Sequence, residues 1–184
     1  MKVKALIALA LLSLAACNSA TESKSDAVDS AAAVTAPAAD AVTSRLLPQA
    51  SSDETRKSLE AFASGDMAGF SADWDDNVKI YYPGPGDSLV GKKAALDFFT
   101  ERRSKYDSVQ IVNPTFLAVE NNEPNSPVAQ GNWFMSWHTF VYKMKGSGKM
   151  VVLPIHMVRH TNAAGKSDII AMYYDMHRLM AASK

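Results

Sequence analysis

An α+β domain over residues 51–184, with three helices packed on a curved antiparallel sheet, is the fold that the sequence predicts. Three observations lead there. Every Trp, Tyr, His and Phe lies after residue 60, so the material for a core is confined to the later part of the chain. Capping signals and helix-period apolar positions occupy the stretch up to Tyr106, and four long strand-like segments follow. Clusters of Gly, Asn and Pro punctuate those segments, and helices followed by a meander of strands make an α+β domain.

The first helix begins near Ser51, which stands at capping-box spacing from Glu54, and Gly65 marks its end. Leu59 and Phe62 form its buried face. Asp66 caps a second, shorter helix carrying Met67, Phe70 and Trp74. Asp75-Asp76-Asn77 reads as a turn, and Val78 to Tyr82 as a strand closed by Pro83-Gly84-Pro85-Gly86. A third helix is expected from about Gly91 to Tyr106, with Ala95, Phe98, Phe99 and Arg102 at helical spacing. The strand-like segments are Val109–Val119, Ala129–Lys145, Lys149–Thr161 and Ser167–Met180. Between them stand Asn121–Pro127, Gly146-Ser147-Gly148 and Asn162-Ala163-Ala164-Gly165. Pro114 and Pro154 each remove a ladder donor, which requires a bulge or a free edge. No internal repeat is visible.

This order of elements resembles the nuclear transport factor 2-like fold, and its SnoaL-like branch in particular. Local words carry the resemblance as well. They are Phe62-Ala63-Ser64-Gly65-Asp66-Met67, the strand from Asp75 to Gly84, a Gly-x-x-x-Ala helix start at Gly91, and a final Ile169-Ile170-Ala171-Met172-Tyr173-Tyr174-Asp175 strand. The resemblance covers about residues 53–180 and implies a cone-shaped sheet, with helices closing over a pocket.

Ahead of the domain, Lys2 and Lys4 precede an apolar run from Ala5 to Ala16, which has the length of a secretory h-region and is too short to span a bilayer. Residues 1–16 are therefore expected to be a signal peptide. Leu14-Ala15-Ala16-Cys17 resembles the bacterial lipobox, which implies acylation of Cys17 and a lipid-anchored envelope protein. Several acyl chains anchor stably where one binds reversibly. Asn18 stands where that family uses Asp for inner-membrane retention, so the outer membrane is the expected destination. From Asn18 to Ala50 the chain is rich in Ala, Ser, Thr, Asp and Val and lacks aromatic residues, the composition of a flexible tether.

Lys plus Arg and Asp plus Glu number 19 each, so the formal net charge is zero and no basic surplus favours nucleic acid. A single cysteine excludes an internal disulfide. Gly86-Asp87-Ser88-Leu89-Val90-Gly91-Lys92 approaches a phosphate-binding loop, but Lys93 replaces the Ser or Thr that would hold magnesium. On a strand, His156 and His160 are roughly 13 Å apart, too far for one ion, so neither a metal nor another cofactor is expected.

Candidate site residues follow from strand faces. Pairing Lys145 with Lys149 across the Gly146-Ser147-Gly148 turn puts His138 opposite His156, with Tyr173, Asp175 and His177 on the same face. A one-residue slip would break that alignment. Trp133, Met135, Trp137, Met157, Met172, Tyr174 and Met176 share the other parity, and whichever face is left open is expected to be covered in a homodimer. The resemblance to SnoaL-like cyclases and ketosteroid isomerases implies a carboxylate base, which Asp175 would supply with His156 or His138 assisting. Trp74, Tyr82, Phe98 and Tyr173 are the expected ligand contacts. Three functions remain open: a tethered module binding a small, partly apolar molecule, an isomerase or cyclase, and an accessory protein acting through protein contacts.

Overall fold

The computed structural model describes residues 43–84 and 86–182. The expected signal peptide, Cys17 and the tether up to residue 42 lie outside the described residues. The elements run β1 (Ser44–Leu46), α1 (Asp53–Ser64), α2 (Met67–Phe70), β2 (Trp74–Tyr81), β3 (Ser88–Val90), α3 (Lys92–Ser104), β4 (Tyr106–Asn121), β5 (Gly131–Met144), β6 (Met150–Thr161), β7 (Ser167–Tyr173) and α4 (Met176–Ala182). Among the described residues no helix is long and apolar enough to cross a membrane.

One seven-stranded sheet has the order β1-β4-β5-β6-β7-β2-β3. Neighbours pair antiparallel except β2 with β7, which run parallel, so the sheet is mixed and not wholly antiparallel as expected. Order also starts before Ser51, because β1 pairs with the far end of β4 and the Arg45 side chain binds Glu120.

The helix signals hold with adjustments. Gly65 ends α1 at φ 89°, donating its N–H to the Phe62 carbonyl, and Asp66 caps α2 by accepting from the Gly69 N–H at 2.9 Å. The capping box at Ser51 does not form. A 3-10 turn over Gln49–Ser52 precedes α1, whose N-cap Ser52 is buried without a side-chain cap bond. Trp74 and the expected turn at Asp75–Asn77 belong to β2. The Asp75 side chain accepts from the Asn77 N–H, and the register of β2 shifts between Trp74 and Lys79. That local bond is an Asx turn held within a strand. Pro114 falls in the register shift of β4 between Val112 and Thr115, beside Asn113 at φ 50°. Pro154 lies on the stretch of β6 that β7 does not reach, where Arg178 donates to the Val152 carbonyl.

The last element differs most from expectation. β7 stops at Tyr173, and a fourth helix replaces the strand predicted as far as Met180. Asp175 accepts from the His177 N–H at 3.0 Å and pairs with Arg178 at 3.4 Å. A carboxylate at a helix start compensates free N–H groups, so Asp175 opens a helix that brings Leu179 into the core.

Registry decides which side chains meet. β5 and β6 pair as Trp137 with His156 and His138 with Ile155, one residue away from the expected alignment. The cause lies in the hairpin. Met144 pairs with Lys149 around a four-residue loop, the Gly148 N–H donates to the Met144 carbonyl, and the Lys145 N–H is engaged by the Lys105 carbonyl. Alternation then sends Ser136, His138, Phe140, Tyr142 and Met144 of β5 inward, where all are buried. Phe62, Phe70, Trp74, Phe99 and Phe140 from the helices and the sheet form the middle of the core, with ring centroids 4.9–6.5 Å apart.

Candidate functional site: a cavity between the helices and the sheet

A cavity of about 50 Å³ lies inside this aromatic layer. α1 contributes Leu59 and Phe62, α3 Phe99 and Arg102, α4 Leu179, and the inner face of the sheet Tyr106, His138, Phe140, Tyr142 and Ile155. No carboxylate is among the lining residues. The wall is therefore apolar with a few polar atoms at defined places, the composition of a small-molecule site.

Two lining residues also carry a buried polar atom without a partner. Trp74 is 2% exposed and His138 4% exposed, and neither the Trp74 Nε1 nor the His138 Nε2 has a hydrogen-bond partner among the described residues. A buried donor left unpaired costs about 1–3 kcal/mol. His138 Nδ1 lies 3.3 Å from the Ser136 hydroxyl. Burial first, and then the nearby His156, push the His138 pKa down to about 4, so the imidazole is neutral at physiological pH.

A cluster of phenols and a cation forms another part of the lining. The Tyr106 and Tyr142 rings lie 4.4 Å apart, and Arg102 Nη1 donates to the Tyr174 hydroxyl at 3.0 Å. Burial raises the pKa of all three tyrosines above the ordinary phenol value, so each remains a protonated donor. Arg159, 2% exposed, lines the cavity too, but its charge is balanced. Its guanidinium binds the Asp73 carboxylate and the Ser167 hydroxyl, and that hydroxyl donates to Asp73 at 3.1 Å. Burial pulls the Arg159 pKa down while Asp73 opposes the shift.

The expected site residues divide between the two faces. Trp74 and His138 line the cavity. Tyr82 is buried and packs against Phe98 at 4.8 Å, with Arg102 over both rings, but neither aromatic is a lining residue. Their neighbours do the lining: Phe99 in place of Phe98, and Tyr174 in place of Tyr173. Tyr173 is 59% exposed on the opposite face, where it stacks on His156, which stacks in turn on Trp137. His156 and His138 are thus separated by the sheet. Asp175 is exposed at the start of α4, ion-paired with Arg178 and outside the cavity lining. Met157, Met172 and Tyr174 line the cavity, while Trp137 belongs to the open face, so the slipped register splits that expected set.

Sequence reasoning missed Arg102, Tyr106, Tyr142 and Arg159. The signal for Tyr142 was available, since it shares parity with His138. His160 is engaged structurally: its Nδ1 lies 2.5 Å from Asp168 and its Nε2 2.9 Å from the Gln130 carbonyl. Among the described residues no group of three or more His, Cys, Asp or Glu could hold a metal ion.

No protein-family model matches the sequence, and no curated protein does. Solved structures do match. An NTF2-like protein from Burkholderia xenovorans is 18% identical, with 76% of this chain and 100% of that one covered and a TM-score of 0.54. A candidate polyketide cyclase from Pseudomonas putida is 18% identical over 71% of this chain and 95% of that one, with a TM-score of 0.56. A protein of ketosteroid isomerase-like fold from Catenulispora acidiphila, in complex with trimethylamine, is 9% identical over 70% and 90%, with a TM-score of 0.54. Identities this low speak to architecture alone, and the architecture is the nuclear transport factor 2-like fold.

Proposed function

We propose that this domain binds a small, partly apolar molecule in the cavity between its helices and its sheet, and that the protein does so while held to the cell envelope by lipid on Cys17. The observation that carries the binding reading is the cavity itself, walled mainly by aromatic and aliphatic side chains with Arg102, Tyr106, Tyr142 and Tyr174 as polar residues of its lining. A few polar groups in an apolar wall are what orients a small ligand. A spacer ending near β1 would let the domain work away from the membrane surface. Two copies would meet through the open sheet face, where Leu117, Trp137, Val152 and Tyr173 are exposed.

The isomerase or cyclase reading has less support. It requires a carboxylate base, and Asp175 stands at the surface while the lining has no carboxylate. His138 would have to serve alone, and a base with a pKa of about 4 is a weak one at neutral pH.

Native mass spectrometry of the purified full chain, beside His138→Leu, tests the binding reading. A copurifying small molecule that is lost from a folded His138→Leu chain is the expected result. A chain that arrives empty, and that no compound in a small-molecule library stabilises thermally, overturns it.

A further inference from the structure

α3 ends in two arginines with different employment. Arg103 spends its guanidinium on the carbonyls of Phe62, Ala63 and Tyr106. Arg102 lines the cavity, half-buried, and makes no ion pair among the described residues. Its contacts are neutral ones. They are the Tyr174 hydroxyl at 3.0 Å, the Met176 sulfur at 3.8 Å, and the faces of Phe98 and Tyr82 at 4.7 and 5.7 Å. A guanidinium carries five N–H donors, and none of these neighbours supplies a negative charge. Since Asp73 balances Arg159, the lining holds one uncompensated cation.

We infer that the molecule taken up by the cavity is a small carboxylic acid, held as its anion by Arg102 and the Tyr174 hydroxyl, with its apolar body against Phe62, Phe99 and Phe140. The inference rests on the binding reading above. A carboxylate is planar and presents two oxygens, the shape that a guanidinium fork grips with two parallel bonds. Tyr174 accepts its hydrogen bond from Arg102, which leaves its own proton to donate to the ligand. Tyr106 and Tyr142 place two further phenols in the same lining. One unbalanced positive charge matches one negative charge, which favours a monoanion over a phosphate ester. The free volume admits roughly three to five water-sized groups, so the acid is small.

The test is isothermal titration of the purified full chain with acetate and propionate, each beside its amide, which keeps the shape and removes the charge. At least one acid is expected to bind about 10- to 100-fold more tightly than its amide, the worth of a charge-assisted pair. Arg102→Gln should erase that preference. Tyr174→Phe, which keeps the ring and so guards against a folding defect, should weaken the acid and leave the amide unchanged. Amides that bind as well as acids, or an acid affinity indifferent to Arg102→Gln, overturn the inference. So does binding of neither acid at millimolar concentration. A neutral molecule copurifying in the cavity would overturn the acid and spare the binding reading. No acid, amide or copurified molecule at all would overturn both.

Discussion

His138 is an imidazole with an inward position and no charge, and that combination has a measurable signature. Its folded pKa of about 4 lies below its ordinary value of 6.5. Between those values the unfolded chain binds a proton that the folded chain refuses. The contribution of His138 is therefore complete above pH 6.5 and is lost as pH falls towards 4, by up to about 3 kcal/mol. Urea unfolding between pH 4 and 7 should show this slope, and His138→Phe should flatten it. An unchanged slope in the variant would place the titrating group elsewhere. Asp73→Ala leaves the Arg159 guanidinium buried without its counter-charge, and about 3 kcal/mol or more of stability should disappear in the same assay. Residue by residue, the sequence singles out Trp74 by size and His138 by chemistry, and both lie in the cavity lining, although His138 does not share a face with His156. Phe98 and Tyr173 were each one position away from the residue that lines the cavity. Adjacent aromatics such as Phe98-Phe99 and Tyr173-Tyr174 offer sequence reasoning two equally apolar choices, and only the register of the element chooses between them.

That register is a property of the elements. The β5–β6 hairpin uses four loop residues where the Gly146-Ser147-Gly148 signal suggested three, because the Lys145 N–H is taken by the Lys105 carbonyl at the end of α3. A contact from outside the hairpin thus decides its alignment, and no turn signature within it could have shown that. Breaks caused by the chain's own chemistry were easier to anticipate. Pro114 sits in a register shift and Pro154 where the neighbouring strand has stopped, since a missing donor is tolerated only in such places. By sequence Asp175 ends a strand, yet its carboxylate starts a helix, and the same short polar side chain suits either. Gly131, where β5 begins, supplies a test at this scale. Its φ is +126°, and a Cβ there would come within 2.8 Å of the His160 ring and 2.9 Å of the Thr161 carbonyl. Gly131→Ala should destabilise the domain by about 2–4 kcal/mol in thermal or urea unfolding. A variant as stable as the parent would show that the strand entry relaxes freely.

At the scale of the whole molecule, the order of elements carried the fold. Helices, a short strand, a third helix and then long hairpins were visible in punctuation and periodicity, and the solved structures of similar architecture agree with it. Not visible were the short edge strands β1 and β3, the final helix, and the parallel pairing of β2 with β7, which joins segments far apart in the chain. The open face of the sheet bears the stacked series Trp137, His156 and Tyr173. If a second copy covers that face, Trp137→Glu should convert a dimer to a monomer in sedimentation while leaving the fold intact. A parent chain that is already monomeric would count against the dimer. Likewise, Cys17→Ser should move the protein from the membrane fraction to the soluble one, and continued membrane association would point to another anchor.

The β2–β7 pair has a consequence in time. Trp74 finds its partner only at Ser167, and Tyr81 only at Ala171, so the inner edge of β2 stays unsatisfied until nearly the whole chain has left the ribosome. Pairings this distant in sequence close slowly, so the β2–β7 seam is expected to be among the last parts of the sheet to form.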